Sequence, residues 1–387
     1  MVNFARNSKH GIKVDFEKSH GPYLFDKNTK RKYLDFFGMY ASLPLGYNHS
    51  IFKSEKFKKD FLNVSSFKVN NCEFTSDEAL EFDRLFSNYA GLGLYNHFHY
   101  CCTGALAIEA AIKVCIHHSG YKFPNILCFD NSFHGINSYG GFITDNTYPA
   151  ASKLKGFPQI FQTRVPFNLE IVEKKLKFND TTCVLVEPIQ CSAGDIHHDK
   201  EFFTSLREIC NKYDVPLIFD EVQIGFGSTG KLWYFQNLGI VPDIVVFGKK
   251  TQLSGIMALD KVSGIFSRDN VTKLEVTWDS DIVDMVRCKY IIQEYERSQV
   301  IENCRKIGKY ALEELKKISA LKNVRGSGLI LGFCLDSQEY RDIFIKKLKE
   351  CGMIVNATGE KSIRLRPALN ITGKDVETAL HLIKEAL

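Results

Sequence analysis

The sequence predicts an α/β protein: a large domain built on a mostly parallel sheet, joined to a smaller α+β lobe. Two observations predict it. Between about residues 100 and 250, short apolar runs alternate with stretches of helical periodicity. After Trp278 the pattern changes to long helical segments followed by separate strand-like runs.

The first helix signal is residues 103–117 (TGALAIEAAIKVCIH), with apolar residues at helical spacing and Thr103 where an N-cap belongs. Residues 125–130 (NILCFD), 182–187 (TCVLVE) and 216–220 (PLIFD) read as buried strands, and residues 244–247 as a fourth. The amphipathic stretch 201–213 separates two of them. Strands alternating with helices imply a parallel sheet covered on both faces. In such sheets, residues just past the carboxyl ends of the strands line the ligand crevice. Glu187, Asp220 and Lys249 hold those positions. Residues 282–320 read as largely helical, and 324–335 and 353–369 as strands of the smaller lobe. The run 21–37 also reads as short strands and is expected to join that lobe, with the polar turn 27–32 (KNTKRK) between them. The expected divisions are residues 1–50 (contributing to the small domain), 51–283 (large domain) and 284–387 (small domain).

Composition excludes several classes. Fifty basic against forty-five acidic side chains leave a net charge of +5, with no run of five like charges, which argues against a nucleic-acid partner. The first twenty residues lack an apolar core, and no stretch is long and apolar enough to span a membrane. A soluble, cytoplasmic protein is expected. Twelve cysteines are irregularly spaced without a C-x-x-C, and Cys115, Cys128, Cys183 and Cys334 lie in apolar runs, so reduced core thiols are expected. The paired histidines (His97 and His99, His117 and His118, His197 and His198) lack a companion ligand cluster, and no metal site is expected.

Among the strand-end residues, Asp220 would be desolvated unless it faces a cation, and a protonated pyridine nitrogen is one such partner; a helix cap or structural ion pair is the other reading. Lys249 or Lys250 could be a nucleophilic amine after the strand DIVVF. Thr103-Gly104-Ala105 could offer backbone N–H groups to a phosphate. Residues 225–231 (GFGSTGK) nearly match a phosphate-binding loop, but Leu232 stands where a metal-binding hydroxyl belongs.

Taken in order, YLFDKNTKRKYLDFF, TGALAIEAAIK, SFHG, VEPIQ, LIFDEVQIGFGSTG, PDIVVFGKKTQ, VTWDSDIVDMVR and KSIRLRP resemble class III (fold type I) pyridoxal-phosphate-dependent aminotransferases over almost the whole chain. The nearest branch is the L-lysine 6-aminotransferases, with the 4-aminobutyrate and ornithine enzymes more distant. The resemblance implies a seven-stranded type of sheet in the large domain, pyridoxal 5'-phosphate as cofactor, and a homodimer with shared active sites. It implies that Lys249 is the Schiff-base lysine and that Asp220 pairs with the pyridine nitrogen. Gln223 would lie near the phenolic oxygen, Phe133 on the ring, and Gly104 and Ala105 at the phosphate. Thr277 would reach the phosphate of the neighbouring subunit's cofactor, and Arg364 would bind a substrate carboxylate. The chemistry implied moves an amino group from an amine or amino acid, most simply a terminal ω-amino group, to an oxo acid such as 2-oxoglutarate.

Three departures touch substrate recognition. Ile136 follows SFHG where the family carries Arg, and Ser192 in EPIQCSAGD stands at the family's Glu. Asp279-Ser280-Asp281 replaces a Gly-Gly-Asn, giving two acids that could meet a distal ammonium or lie on the surface. They leave two alternatives: an amino-acid racemase or epimerase of the same fold, or a non-catalytic relative acting as a binding protein.

Overall fold

The computed structural model describes residues 10–66, 74–120, 125–145 and 162–387; residues 1–9 of the expected first segment lie outside these. Its centre is a seven-stranded sheet in the order His97–Cys101, Ser254–Ala258, Ile244–Phe247, Leu217–Asp220, Thr181–Val186, Asn125–Phe129, Gln162–Val165. Five of these strands, from Ile244–Phe247 to Gln162–Val165, pair in parallel. Ser254–Ala258 runs antiparallel to both of its neighbours.

The apolar runs are continuous because both faces of the sheet are covered. Leu127, Phe129, Val184, Val186, Leu217, Phe219, Val245 and Phe247 enter one core cluster. Their alternates Ile126, Cys128, Cys183, Leu185, Ile218, Ile244 and Val246 enter a second on the opposite face. Helix Gly104–His118 covers the second face with Ala107, Ile108, Ala111, Ile112 and Cys115, and its Thr103 cap accepts from the Leu106 amide at 3.3 Å. The parallel strands place Asp130, Glu187 and Asp220 at one edge of the sheet, and the residues after Phe247 follow them there.

The rest of the chain builds smaller sheets beside this edge. Strands Lys322–Ser327, Ile330–Cys334, Ser362–Leu365 and Asn356–Thr358 make a four-stranded antiparallel sheet. Tyr23–Phe25 and Lys32–Asp35 make a hairpin, and Met353–Ile354 pairs with it in parallel. Two long helices, Ile282–Arg297 and Val300–Lys316, connect the large sheet to these, and helices Gln338–Cys351 and Gly373–Ala386 pack against each other.

Ten described cysteines, most of them buried, are free thiols. Cys115, Cys128 and Cys183 are buried. Cys334 is only half-buried, because the last residue of its strand turns toward Arg325 and Ser362 at 3.4 and 3.2 Å. No described helix is long and apolar enough to cross a membrane.

Candidate active site

At the carboxyl edge of the sheet lies a cavity of about 380 Å³, within the range of small-molecule sites. Asp220 enters it from the end of Leu217–Asp220. Its Oδ2 accepts from His134 Nδ1 at 2.9 Å and its Oδ1 from the Val222 amide at 3.1 Å. The next residue, Glu221, points elsewhere: it accepts from the Tyr234 and Phe235 amides at 2.6 and 2.9 Å, and burial pushes its carboxyl up to about 8. Glu187 also lines the cavity and holds the Phe133 amide at 2.6 Å. Burial, reinforced by the charge of Asp220, raises its carboxyl well above the usual range.

The two lysines part company. Lys249 takes a left-handed φ of +53° and lines the cavity; burial lowers its pKa, and the Asp220 charge opposes that. Lys250 is buried on the other side, where Nζ donates to the carbonyls of Leu43 at 2.9 Å and Pro367 at 3.4 Å. Only Lys249 can meet a ligand in this cavity.

The remaining wall comes from Gly104, Ala105, Phe133, Gly135, Ile136, Ile189, Val222 and Gln223. Thr103 takes the Leu106 amide with its hydroxyl and the Ala107 amide with its carbonyl, leaving the Gly104 and Ala105 amides without intrahelical partners. A Cβ on Gly104 would come within 2.8 Å of Val222 Cγ1, so glycine keeps this approach open. Gly135, at φ +103°, closes on Ala105.

Among the residues expected from the sequence, Gly104, Ala105, Phe133, Ile136, Asp220, Gln223 and Lys249 therefore line one cavity. Ile136 is 53% exposed at its mouth. Arg364 lies behind it, its Nη1 donating to Gln223 Oε1 and to the Cys191 carbonyl, both at 3.4 Å. Ser192 follows Cys191, and its carbonyl accepts from the Gly359 amide at 3.3 Å. Thr277 is not brought in. It is exposed on the loop before helix Ile282–Arg297, where the Trp278 carbonyl meets Cys102 Sγ at 2.8 Å. The two acids of that loop also stay out: Asp281 caps the helix, and Asp279 accepts from the Val276 amide at 2.8 Å with its carboxyl raised to about 6 by burial.

Sequence reading passed over His134 and Val222. His134 stood inside the SFHG motif and Val222 inside FDEVQ, two residues past the strand-end acid. The near phosphate loop turns out to be packing: Gly225 abuts the Trp233 ring, Gly227 abuts Ile301 and Tyr295, and Gly230 abuts Arg305. Two of the paired histidines have structural partners, His97 on Asp260 at 2.9 Å and His198 stacked on Phe167 with centroids 3.5 Å apart. Among the described residues no three potential ligands gather for a metal ion.

A buried carboxylate with an anchored geometry, a half-buried primary amine, two amides without intrahelical partners at a helix start and apolar walls fit a cofactor with a basic ring nitrogen, an aldehyde and a phosphate. The fold and this site define a pyridoxal-phosphate-dependent transferase. The chain belongs to the class-III aminotransferases, whose family model matches residues 4–387, and it is a pyridoxal-phosphate-dependent transaminase.

It is 31% identical to the L-lysine-epsilon aminotransferase of Mycobacterium tuberculosis over 416 aligned positions, covering 97% of this chain and 92% of that one. An acetylornithine aminotransferase of Archaeoglobus fulgidus is 30% identical, covering 96% and 95%. The solved lysine aminotransferase from M. tuberculosis superposes with a TM-score of 0.92 at 31% identity, covering 97% of this chain and 95% of that one.

Proposed function

We propose that this transaminase takes a terminal amino group from an amino acid or amine, in the manner of a lysine 6-aminotransferase, and gives it to an oxo acid such as 2-oxoglutarate. The observation that carries the reading is the shared cavity of Lys249, Asp220 and the Gly104–Ala105 helix start; the lysine-epsilon aminotransferases among its relatives support the terminal amine.

Pyridoxal phosphate, when bound, supplies an electron sink for negative charge at the amine-bearing carbon. The chain supplies the rest. The Gly104 and Ala105 amides, at the positive end of their helix, hold the phosphate. Asp220, fixed by His134 and the Val222 amide, keeps a proton on the ring nitrogen. Phe133, Val222 and Gln223 line the same cavity, where the first two would bracket the ring and Gln223 would lie by the phenolic oxygen. Lys249 Nζ anchors the cofactor and carries the proton at the amine-bearing carbon; a lowered pKa suits an amine to both tasks. Arg364 receives the carboxylate of the oxo acid.

Two copies would share the site. Val276 and Trp278, flanking Thr277, are 50% and 52% exposed, an apolar pair suited to burial against a second chain that receives Thr277 at its cofactor phosphate. Ten free thiols among the described residues suit a reducing, cytoplasmic setting.

The test is the visible absorption of the purified holoenzyme. The band of lysine-bound cofactor is expected to vanish in Lys249→Ala and persist in Lys250→Ala. Adding a terminal amine such as lysine without acceptor should convert it to the amino form of the cofactor. If every amine leaves the band unchanged while the substrate's configuration is inverted, the reading gives way to a racemase.

A further inference from the structure

The loop that carries Thr277 is anchored at both ends and exposed in the middle. On one side Leu274 is buried in the core cluster under helix Gly104–His118, and Lys113 Nζ of that helix donates to the Lys273 carbonyl at 3.3 Å. On the other side Ser280 is buried, and Asp281 accepts from the Val283 amide at 3.0 Å. Between these anchors Val276, Thr277 and Trp278 are exposed. Two bonds hold this tip. Asp279 Oδ1 reaches back across it to accept from the Val276 amide at 2.8 Å, closing a turn with Thr277 and Trp278 at its crest. Cys102 Sγ donates to the Trp278 carbonyl at 2.8 Å, tying the turn to the residue just before the Thr103 cap.

Asp279 sits where a carboxylate is costly. Its side chain is only 12% exposed, and burial raises its carboxyl to about 6. His99 Nε2 lies 3.9 Å away, but burial holds that ring down to about 4, so it brings no charge at neutral pH. The bond that the carboxylate makes is the one to the Val276 amide, and it brackets Thr277 from both sides. Glycine here would offer no acceptor and would loosen the tip. A tip left loose must be ordered when a second chain docks, whereas a braced one has already lost that backbone freedom.

We propose that Asp279 is a positioning residue of the shared active site: by bracing the turn it holds the Thr277 hydroxyl ready for the cofactor phosphate of the partner subunit. Cofactor affinity in one protomer then depends on this turn in the other. The proposal rests on the shared-site reading above.

The experiment is a double-mutant cycle on the dimer. Cofactor affinity is titrated by fluorescence, and the phosphorus-31 resonance of the bound cofactor is recorded, for Thr277→Val, Asp279→Ala, the double variant and Asp279→Asn. Thr277→Val is expected to weaken cofactor binding about tenfold or more, the scale of a hydrogen bond to a charged group. Asp279→Ala can lose no more than the group it positions, so a loss of about three- to tenfold is expected, with the phosphorus resonance moving in the same direction as in Thr277→Val. In the Thr277→Val background Asp279→Ala should add nothing, because the hydroxyl it serves is gone. Asp279→Asn keeps an acceptor oxygen of the same reach and should recover most of the affinity. Asp279→Gly repeats the cycle should Asp279→Ala fail to fold. A loss from Asp279→Ala that is as large in the Thr277→Val background as in the wild type marks general support of the fold and overturns the proposal. An unchanged affinity in Asp279→Ala overturns it too, and in both cases the shared site still stands. Unchanged affinity and resonance in Thr277→Val defeat the shared-site reading itself, and the proposal falls with it.

Discussion

Replacing His134 by Phe removes one of the two hydrogen bonds that fix Asp220 and retains a ring of similar size. The lost bond is 2.9 Å long, to a carboxylate only 8% exposed, and leaves Oδ2 without a protein donor. A net bond to a charged group contributes about 1.5–3 kcal/mol, so cofactor affinity and kcat/KM should fall together by about ten- to a hundredfold. Overall stability should change less. His134 Nε2 is already buried without a partner, and Phe removes that orphan, offsetting about 1–3 kcal/mol of the loss. The assay pairs a fluorescence titration of apoenzyme with cofactor against a melting curve and steady-state kinetics. His134→Gln, which can still donate, should recover part of the affinity. A His134→Phe enzyme that binds cofactor and turns over like the wild type, or that loses melting temperature without losing affinity, would refute the assignment of His134 as the residue that positions Asp220.

Two further outcomes are expected. Burial brings the Lys250 ammonium down to about 7, below its unfolded value, so the unfolded chain binds more protons between that pH and the ordinary lysine range. Lys250 therefore adds stability as pH rises through that window, and the melting-temperature gap between wild type and Lys250→Met should widen from pH 7 toward pH 10. A gap that stays constant or narrows goes against it. Gly135→Ala places a Cβ 3.2 Å from the Ala105 Cβ at φ +103°, straining the turn proposed to hold the phosphate by about 1–2 kcal/mol, and should weaken cofactor binding about tenfold in the same titration.

What could be read from the sequence follows burial. Asn125–Phe129, Thr181–Val186, Leu217–Asp220 and Ile244–Phe247 are covered on both faces and so spell themselves as unbroken apolar runs. His97–Cys101 (HFHYC) and Ser254–Ala258 (SGIMA) were not read as strands. The first is an edge strand, mostly half-buried; the second opens on Ser and Gly because Gly255 passes so close to its neighbours that a Cβ would meet the His99 carbonyl at 2.4 Å. At the site, the strand-end rule pointed to Asp220 and Lys249, but it could not separate Lys249 from Lys250. Their separation depends on a left-handed backbone at Lys249 and on the carbonyls of Leu43 and Pro367, more than a hundred residues away. His134 was hidden for the same reason: its partner lies 86 residues on, and no local pattern encodes that meeting.

The hairpin Tyr23–Phe25 and Lys32–Asp35 completes its sheet with Met353–Ile354, and Arg31 Nη2 reaches the Glu350 carbonyl at 2.6 Å across 319 residues. On the ribosome, the hairpin therefore emerges long before its third strand is synthesised. Because an isolated two-stranded hairpin is marginal in water, these early residues must wait for nearly the whole chain, while the large sheet can form behind them. The lobe they belong to closes last, and a nascent chain halted before residue 353 leaves its first strands without a partner.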